Sequence, residues 1–201
     1  MAGYSTNLGE CVQGDSAEVL RRFENGSIDL IITSPPFSLQ RHKQYGEPNQ
    51  ENYVEWLLPF CETAYHKLKD TGSFVIDLGG AYQKGHPIKA LYPFQFMLKM
   101  CEELHYCLAQ DFYWHNPSAL PAPVEWVNKR KLRCKTSVNT VWWFSKNDQP
   151  KADVRKVLQP YSPRMRHLME SPQEFLKGEG TSSRELRLPA REGTAPRHGG
   201  P

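Results

Sequence analysis

The chain contains no Cys-x-x-Cys pair, and its five cysteines (Cys11, Cys61, Cys101, Cys107 and Cys134) are scattered and odd in number. That spacing argues against a disulfide framework or a zinc site and for a reducing cytoplasm. Cys101, His105 and Cys107 are neighbours in sequence, but a helical packing face accounts for them, and no metal site is expected. No apolar run approaches membrane-spanning length, and the first residues lack a basic-then-apolar leader pattern. Excess charge of one sign is missing too: 25 Lys and Arg against 22 Asp and Glu leave a net charge of +3. So small a surplus establishes no nucleic-acid partner by itself, and the local distribution of charge must carry that argument. No internal repeat is visible.

What is present is enough for one packed domain with a tail. The 201 residues are 39% hydrophobic and 11% aromatic. Residues 10–13 read as a short strand closed by Gly14-Asp15, and Asp15 or Ser16 can cap a following helix with Val19, Leu20 and Phe23 inward. Asn25-Gly26 is a turn, and residues 28–32 form a short apolar strand. Residues 38–52 are polar and read as a long loop. Residues 53–69 repeat apolar side chains at spacings of three and four (Tyr53, Trp56, Leu57, Phe60, Ala64, Leu68), with Pro59 expected to kink or shorten the helix. Asp70-Thr71-Gly72 should stop it, and residues 73–78 form a buried strand ending in Gly79-Gly80. Pro93 opens another helix with Phe94, Met97, Cys101 and Leu104 inward, and residues 108–114 and 137–144 are two more strands. Strands alternating with helices predict an α/β domain with a mostly parallel sheet and helices on both faces. Its span is 1–175, and the Gly-, Pro- and Arg-rich residues 176–201 are expected to be a disordered tail.

The most informative stretch is Thr33-Ser34-Pro35-Pro36-Phe37, at the end of the apolar strand. Two consecutive prolines fix their φ angles and remove two N–H donors. Free carbonyls then stand in fixed geometry beside a hydroxyl and a flat ring. This set suits gripping an exocyclic amino group: Ser34 Oγ and the Pro35 carbonyl accept its hydrogens, and Phe37 stacks on the ring that carries it. An isolated Pro-Pro would more often be a plain turn with its aromatic in the core.

In open α/β sheets, ligands lie outside the carboxyl ends of the strands. If the three strands ending at Asp15, Ser34 and Asp77 are neighbours, these residues line one crevice. Asp15 could equally be only a helix N-cap, and Asp77 a turn carboxylate, although a charge between an apolar strand and two glycines favours a site. Residues 111–117 place Phe112, Tyr113, Trp114 and His115 at another strand end, able to stack on an extruded base or simply to fill a core. Lys129, Arg130, Lys131, Arg133 and Lys135 make the basic patch. In an extended strand Lys129, Lys131, Arg133 and Lys135 would share one face and could follow phosphates; a solvated edge strand is the plainer alternative.

Taken in order, Gly14-Asp15-Ser16, residues 29–37 and residues 72–77 resemble the amino-methyltransferases of restriction–modification systems. The Ser-Pro-Pro-Phe form, with residues 111–117, 125–131 and 138–146, is similar in particular to the cytosine-N4 DNA methyltransferases of the PvuII type. The resemblance runs from about residue 12 to about residue 175. It implies a Rossmann-like sheet, S-adenosylmethionine as cofactor, double-stranded DNA as substrate, a target cytosine flipped out of the duplex and a CAGCTG-like palindrome. It also implies a cognate restriction endonuclease and a cytoplasmic, membrane-free setting. By the same resemblance Ser34, Pro35, Pro36, Phe37 and Asp77 are catalytic, with Asp77 taking the amine proton. Gly14, Asp15 and Ser34 face the cofactor, and the basic residues 129–135 face DNA. Carbon-5 methylation would need a thiolate after a proline, and none of the five cysteines follows one. One departure stands out. The family's Phe-x-Gly-x-Gly-like cofactor loop is absent, and neither Gly79-Gly80 nor Gly199-Gly200 replaces it. The expected sheet is therefore incomplete. An inactive truncated remnant, or one half of a two-chain enzyme whose partner carries the loop, are the alternatives.

Overall fold

Alternating apolar residues build the centre of the fold. The computed structural model describes residues 3–37, 49–83, 85–120 and 124–170. The chain falls into two compact units, residues 1–152 and 153–201. In the first, β1 (Gly3–Thr6) and β2 (Gly9–Val12) form an antiparallel hairpin of their own. Next come α1 (Ser16–Leu20), β3 (Ile28–Thr33), α2 (Tyr53–Lys67) and β4 (Leu68–Asp77). Then follow α3 (Tyr92–Glu102), β5 (Cys107–His115), a π-helical turn (Glu125–Lys129) and β6 (Val138–Ser145). In the second unit a 3-10 turn (Val154–Val157) precedes α4 (Pro163–Glu170), neither with a buried residue. The predicted domain boundary near 175 and the tail beyond it lie outside the described residues.

The main sheet has the order β3-β4-β6-β5. β3 and β4 are parallel, whereas β6 runs against both β4 and β5. The sheet is thus mixed, where a mostly parallel one was expected. Three strands share a direction, and the reversed β6 lies between two of them. Its face against the helices carries Phe74, Ile76, Trp142 and Phe144, which join Leu57, Cys61, Ala64, Phe96 and Met100 in one core. The opposite face carries Leu30, Ile32, Val75, Val141, Trp143 and Phe112, none of them buried. Helices on both faces were expected; among the described residues the core-forming helices α1, α2 and α3 all pack into the single core on one face.

Four local expectations are corrected. β2 belongs to the separate hairpin and not to the main sheet. α2 is not shortened at Pro59 and continues to Lys67, because the proline sits on the exposed side, where water can take the carbonyl it leaves unpaired. α3 buries Tyr92, Pro93, Phe96 and Met100, and the expected Met97, Cys101 and Leu104 pack partly buried against the same core, but the expected Phe94 is exposed. Asp70-Thr71-Gly72 lies inside β4, where the β3–β4 register slips. A side chain at Gly72 would sit 2.9 Å from the Lys69 carbonyl, so glycine permits that irregularity.

Candidate active site

Parallel pairing sets the site. β3 and β4 are in register through Thr33 and Ile76, so the next residues, Ser34 and Asp77, leave the same edge side by side. The Ser34 hydroxyl donates to Asp77 Oδ2 at 3.4 Å. Asn139 on β6 also hydrogen-bonds the Asp77 side chain. Oδ1 of Asp77 is closed off from solvent and takes no hydrogen bond among the described residues. Burial raises the Asp77 pKa above its ordinary 3.8, and the bonds from Asn139 and Ser34 only partly oppose that. The result is a carboxylate short of donors, a ready acceptor for an N–H or a proton.

The corner after Ser34 is fixed from behind. The Tyr53 hydroxyl donates to the Pro36 carbonyl at 2.8 Å, and the Tyr92 hydroxyl to the Gly79 carbonyl at 3.3 Å. Their rings lie 4.8 Å apart. Phe37 is partly buried against the core, its ring over the backbone of Gly79. Sequence reasoning assigned no role to Tyr53, Tyr92 or Asn139. The one available signal was chemical: a tyrosine at an inward helical position must find a partner for its hydroxyl.

Asp15 is an N-cap, its Oδ1 accepting from the Ala17 and Glu18 amides at 2.9 and 3.2 Å. It does not share the sheet edge with Ser34 and Asp77, because β2 lies outside that sheet. Gly14 lines an apolar cavity of about 230 Å³ with Val12, Ser16, Val19, Leu20, Phe23 and Phe60.

The basic patch is not an extended strand. It comprises the π-helical turn and an irregular stretch, with Lys131 at a left-handed φ of 55°. Lys129 and Arg130 pair with Glu125 at 3.5 and 2.9 Å. Arg133 lies over the Tyr82 ring, 3.2 Å from its centroid, and Lys135 Nζ donates to the Pro117 and Ala119 carbonyls at 3.2 Å each. Only Lys131 makes no ion pair or hydrogen bond among the described residues, and it is exposed. On β5, Trp114 stands opposite Asn139, so it shares a sheet face with that residue and is half exposed.

A mixed α/β sheet presenting a hydroxyl and a carboxylate at the end of a parallel strand pair, beside a Pro-Pro corner, is the class of structure in hand. A family model described as DNA methylase matches residues 28–185, and the chain belongs to that family. It is 54% identical to the type II methyltransferase M.PvuII of Proteus hauseri over 172 residues, 86% of this chain and 51% of that protein. The solved PvuII DNA methyltransferase (cytosine-N4-specific) superposes with a TM-score of 0.66, covering 75% of this chain and 53% of that one. With a DNA modification methylase of Thermus thermophilus only the fold is shared, at 19% identity and a TM-score of 0.51, over 82% of this chain and 60% of that one. The chain therefore spans about half the length of M.PvuII.

Proposed function

We propose that this chain carries the base-binding and proton-accepting side of a DNA methyltransferase. The reaction moves a methyl group from S-adenosylmethionine to the exocyclic N4 amine of a cytosine flipped out of duplex DNA. The observation that carries this reading is the Ser34–Asp77 contact at the edge of β3 and β4, beside the Pro35-Pro36 corner. The likeness to a cytosine-N4-specific enzyme supports the choice of amine. On this reading the four strands are part of a Rossmann-like methyltransferase sheet.

The cavity beside Gly14 is apolar and of a size to take a flat purine, so its lining fits the base of the cofactor, although Ser34 is not among the residues that line it. Gly14 and the backbone at Asp15 would hold it there. When bound, that cofactor supplies an electrophilic methyl group on a sulfonium.

The chain's own residues prepare the amine. A cytosine N4 lone pair is delocalised into the ring and is a poor nucleophile. Ser34 Oγ and the Pro35 carbonyl accept its two hydrogens and hold the nitrogen towards pyramidal geometry, which localises the pair. As the new N–C bond forms, an N–H proton passes to Asp77, whose raised pKa suits it to accept. Phe37 and Trp114 offer flat walls for the extruded base. Positioning and charge placement account for the rate, with no covalent intermediate on the protein. Lys131, exposed and without an ion pair or hydrogen bond among the described residues, faces the phosphates. The protein acts in the cytoplasm and protects sites cut by a cognate endonuclease.

The test is incubation with labelled methyl donor and a duplex bearing CAGCTG, followed by digestion to nucleosides. Label in N4-methylcytosine supports the reading; label in 5-methylcytosine or N6-methyladenine sinks it.

A second reading has its own observation. Leu30 and Ile32 on the outer strand β3 are 50% and 70% exposed, on the sheet face no described helix covers. We infer that polypeptide carrying the glycine-rich cofactor loop packs there, supplied by a second chain. Mixing with the remaining half of M.PvuII tests this; turnover unchanged by that addition rules it out.

A further inference from the structure

We propose that Tyr53, backed by Tyr92, is a positioning residue that sets the spacing between the Ser34–Phe37 corner and the Asp77–Gly79 corner; its part in catalysis rests on the methyltransferase reading above. Three observations converge on this. Tyr53 is fully buried and Tyr92 nearly so, so each hydroxyl must find a partner inside the protein. Each finds one at a different strand end: Tyr53 at the Pro36 carbonyl and Tyr92 at the Gly79 carbonyl. The two rings touch, with centroids 4.8 Å apart and planes inclined by 55°. The two corners are thereby tied to one rigid aromatic pair.

The two corners also touch each other directly, through Phe37 and Gly79. A Cβ at Gly79 would fall 2.5 to 3.0 Å from three Phe37 ring atoms, so the ring rests on bare backbone. The corners are held both by the tyrosine pair and by this contact. Among the described residues the Tyr53 hydroxyl is the group that hydrogen-bonds the Pro36 carbonyl, whose direction depends on ψ, which a proline ring does not fix as it fixes φ. A hydrogen bond to that oxygen restrains the Pro36–Phe37 peptide plane, at the point where the chain turns from the prolines into Phe37. Tyr53 also begins α2, so helix packing is transmitted directly to the corner.

The experiment compares Tyr53→Phe with Tyr106→Phe in the full chain. Tyr106 is an equally buried tyrosine, and its hydroxyl donates to the Cys61 carbonyl at 3.0 Å, at the far end of β4 from Asp77. Both variants lose one hydroxyl from the core. The first readout is the nuclear Overhauser contact between the Phe37 ring and the Gly79 Hα. It should weaken in Tyr53→Phe and persist in Tyr106→Phe. The second is turnover: Tyr53→Phe should lower kcat about tenfold with KM for DNA unchanged, and Tyr106→Phe should leave both alone. A Phe37–Gly79 contact at full strength in Tyr53→Phe, or one lost equally in both variants, overturns the proposal. If the contact responds as expected but the unaltered protein methylates nothing, either alone or mixed with the remaining half of M.PvuII, the clasp stands and the methyltransferase reading falls.

Discussion

The ring of Phe37 lies on Gly79 so closely that a methyl group there would meet Cε2 at 2.5 Å. Two corners far apart in sequence are thus packed as one surface. Gly79→Ala should displace the Phe37 ring, since the backbone beneath it cannot withdraw without moving Asp77. The expected outcome is a loss of methyl transfer of about 10²-fold, as for an ångström-scale misplacement, with the melting transition still cooperative. Steady-state kinetics beside a thermal melt checks it; full activity in Gly79→Ala would show that the ring need not rest there.

Asp77 gives a prediction with a pH sign. Its pKa is raised in the folded protein above the ordinary 3.8, chiefly by burial. A carboxyl of this kind costs stability only when ionised. The cost is absent below 3.8, grows as pH rises through that value and is complete above the raised folded-state pKa. Asp77→Asn should therefore melt higher than the unaltered protein at neutral pH, and the difference should close as pH falls towards 3.8, while methyl transfer is abolished. Melting curves across that range decide it.

Lys131 and Lys135 separate phosphate contact from loop support. Lys131 is exposed and makes no ion pair or hydrogen bond among the described residues, whereas Lys135 holds two carbonyls of the 117–119 stretch. Lys131→Ala should weaken DNA binding evenly across sequences and reduce the slope of log affinity against log salt by about 1. Lys135→Ala should leave that slope unchanged. Binding titrations at several salt concentrations distinguish the two.

Pro59 is a proline in the exposed interior of α2. Pro59→Ala restores an N–H and removes a poor helix former, so stability should rise by about 1–3 kcal/mol, less whatever the freer unfolded chain takes back. Urea denaturation measures it, and methyl transfer should not change.

The local sequence determined a good deal. Five strands, three helices and the Ser-Pro-Pro-Phe corner are readable from apolar runs, capping residues and prolines, because these act through neighbours in the chain. Asp15 illustrates this: its cap bonds reach only two and three residues ahead. What the sequence could not supply were directions and partners. The reversal of β6, the exposure of Phe94 on α3 and the exile of β2 to its own hairpin all depend on which surfaces bury most area together. The basic residues 129–135 read as a phosphate-tracking strand, yet Glu125, the Tyr82 ring and two loop carbonyls engage four of the five. Ser34 and Asp77 were each visible as candidates, but their meeting at 3.4 Å was settled by parallel pairing of β3 and β4, a contact across 43 residues that no local rule encodes.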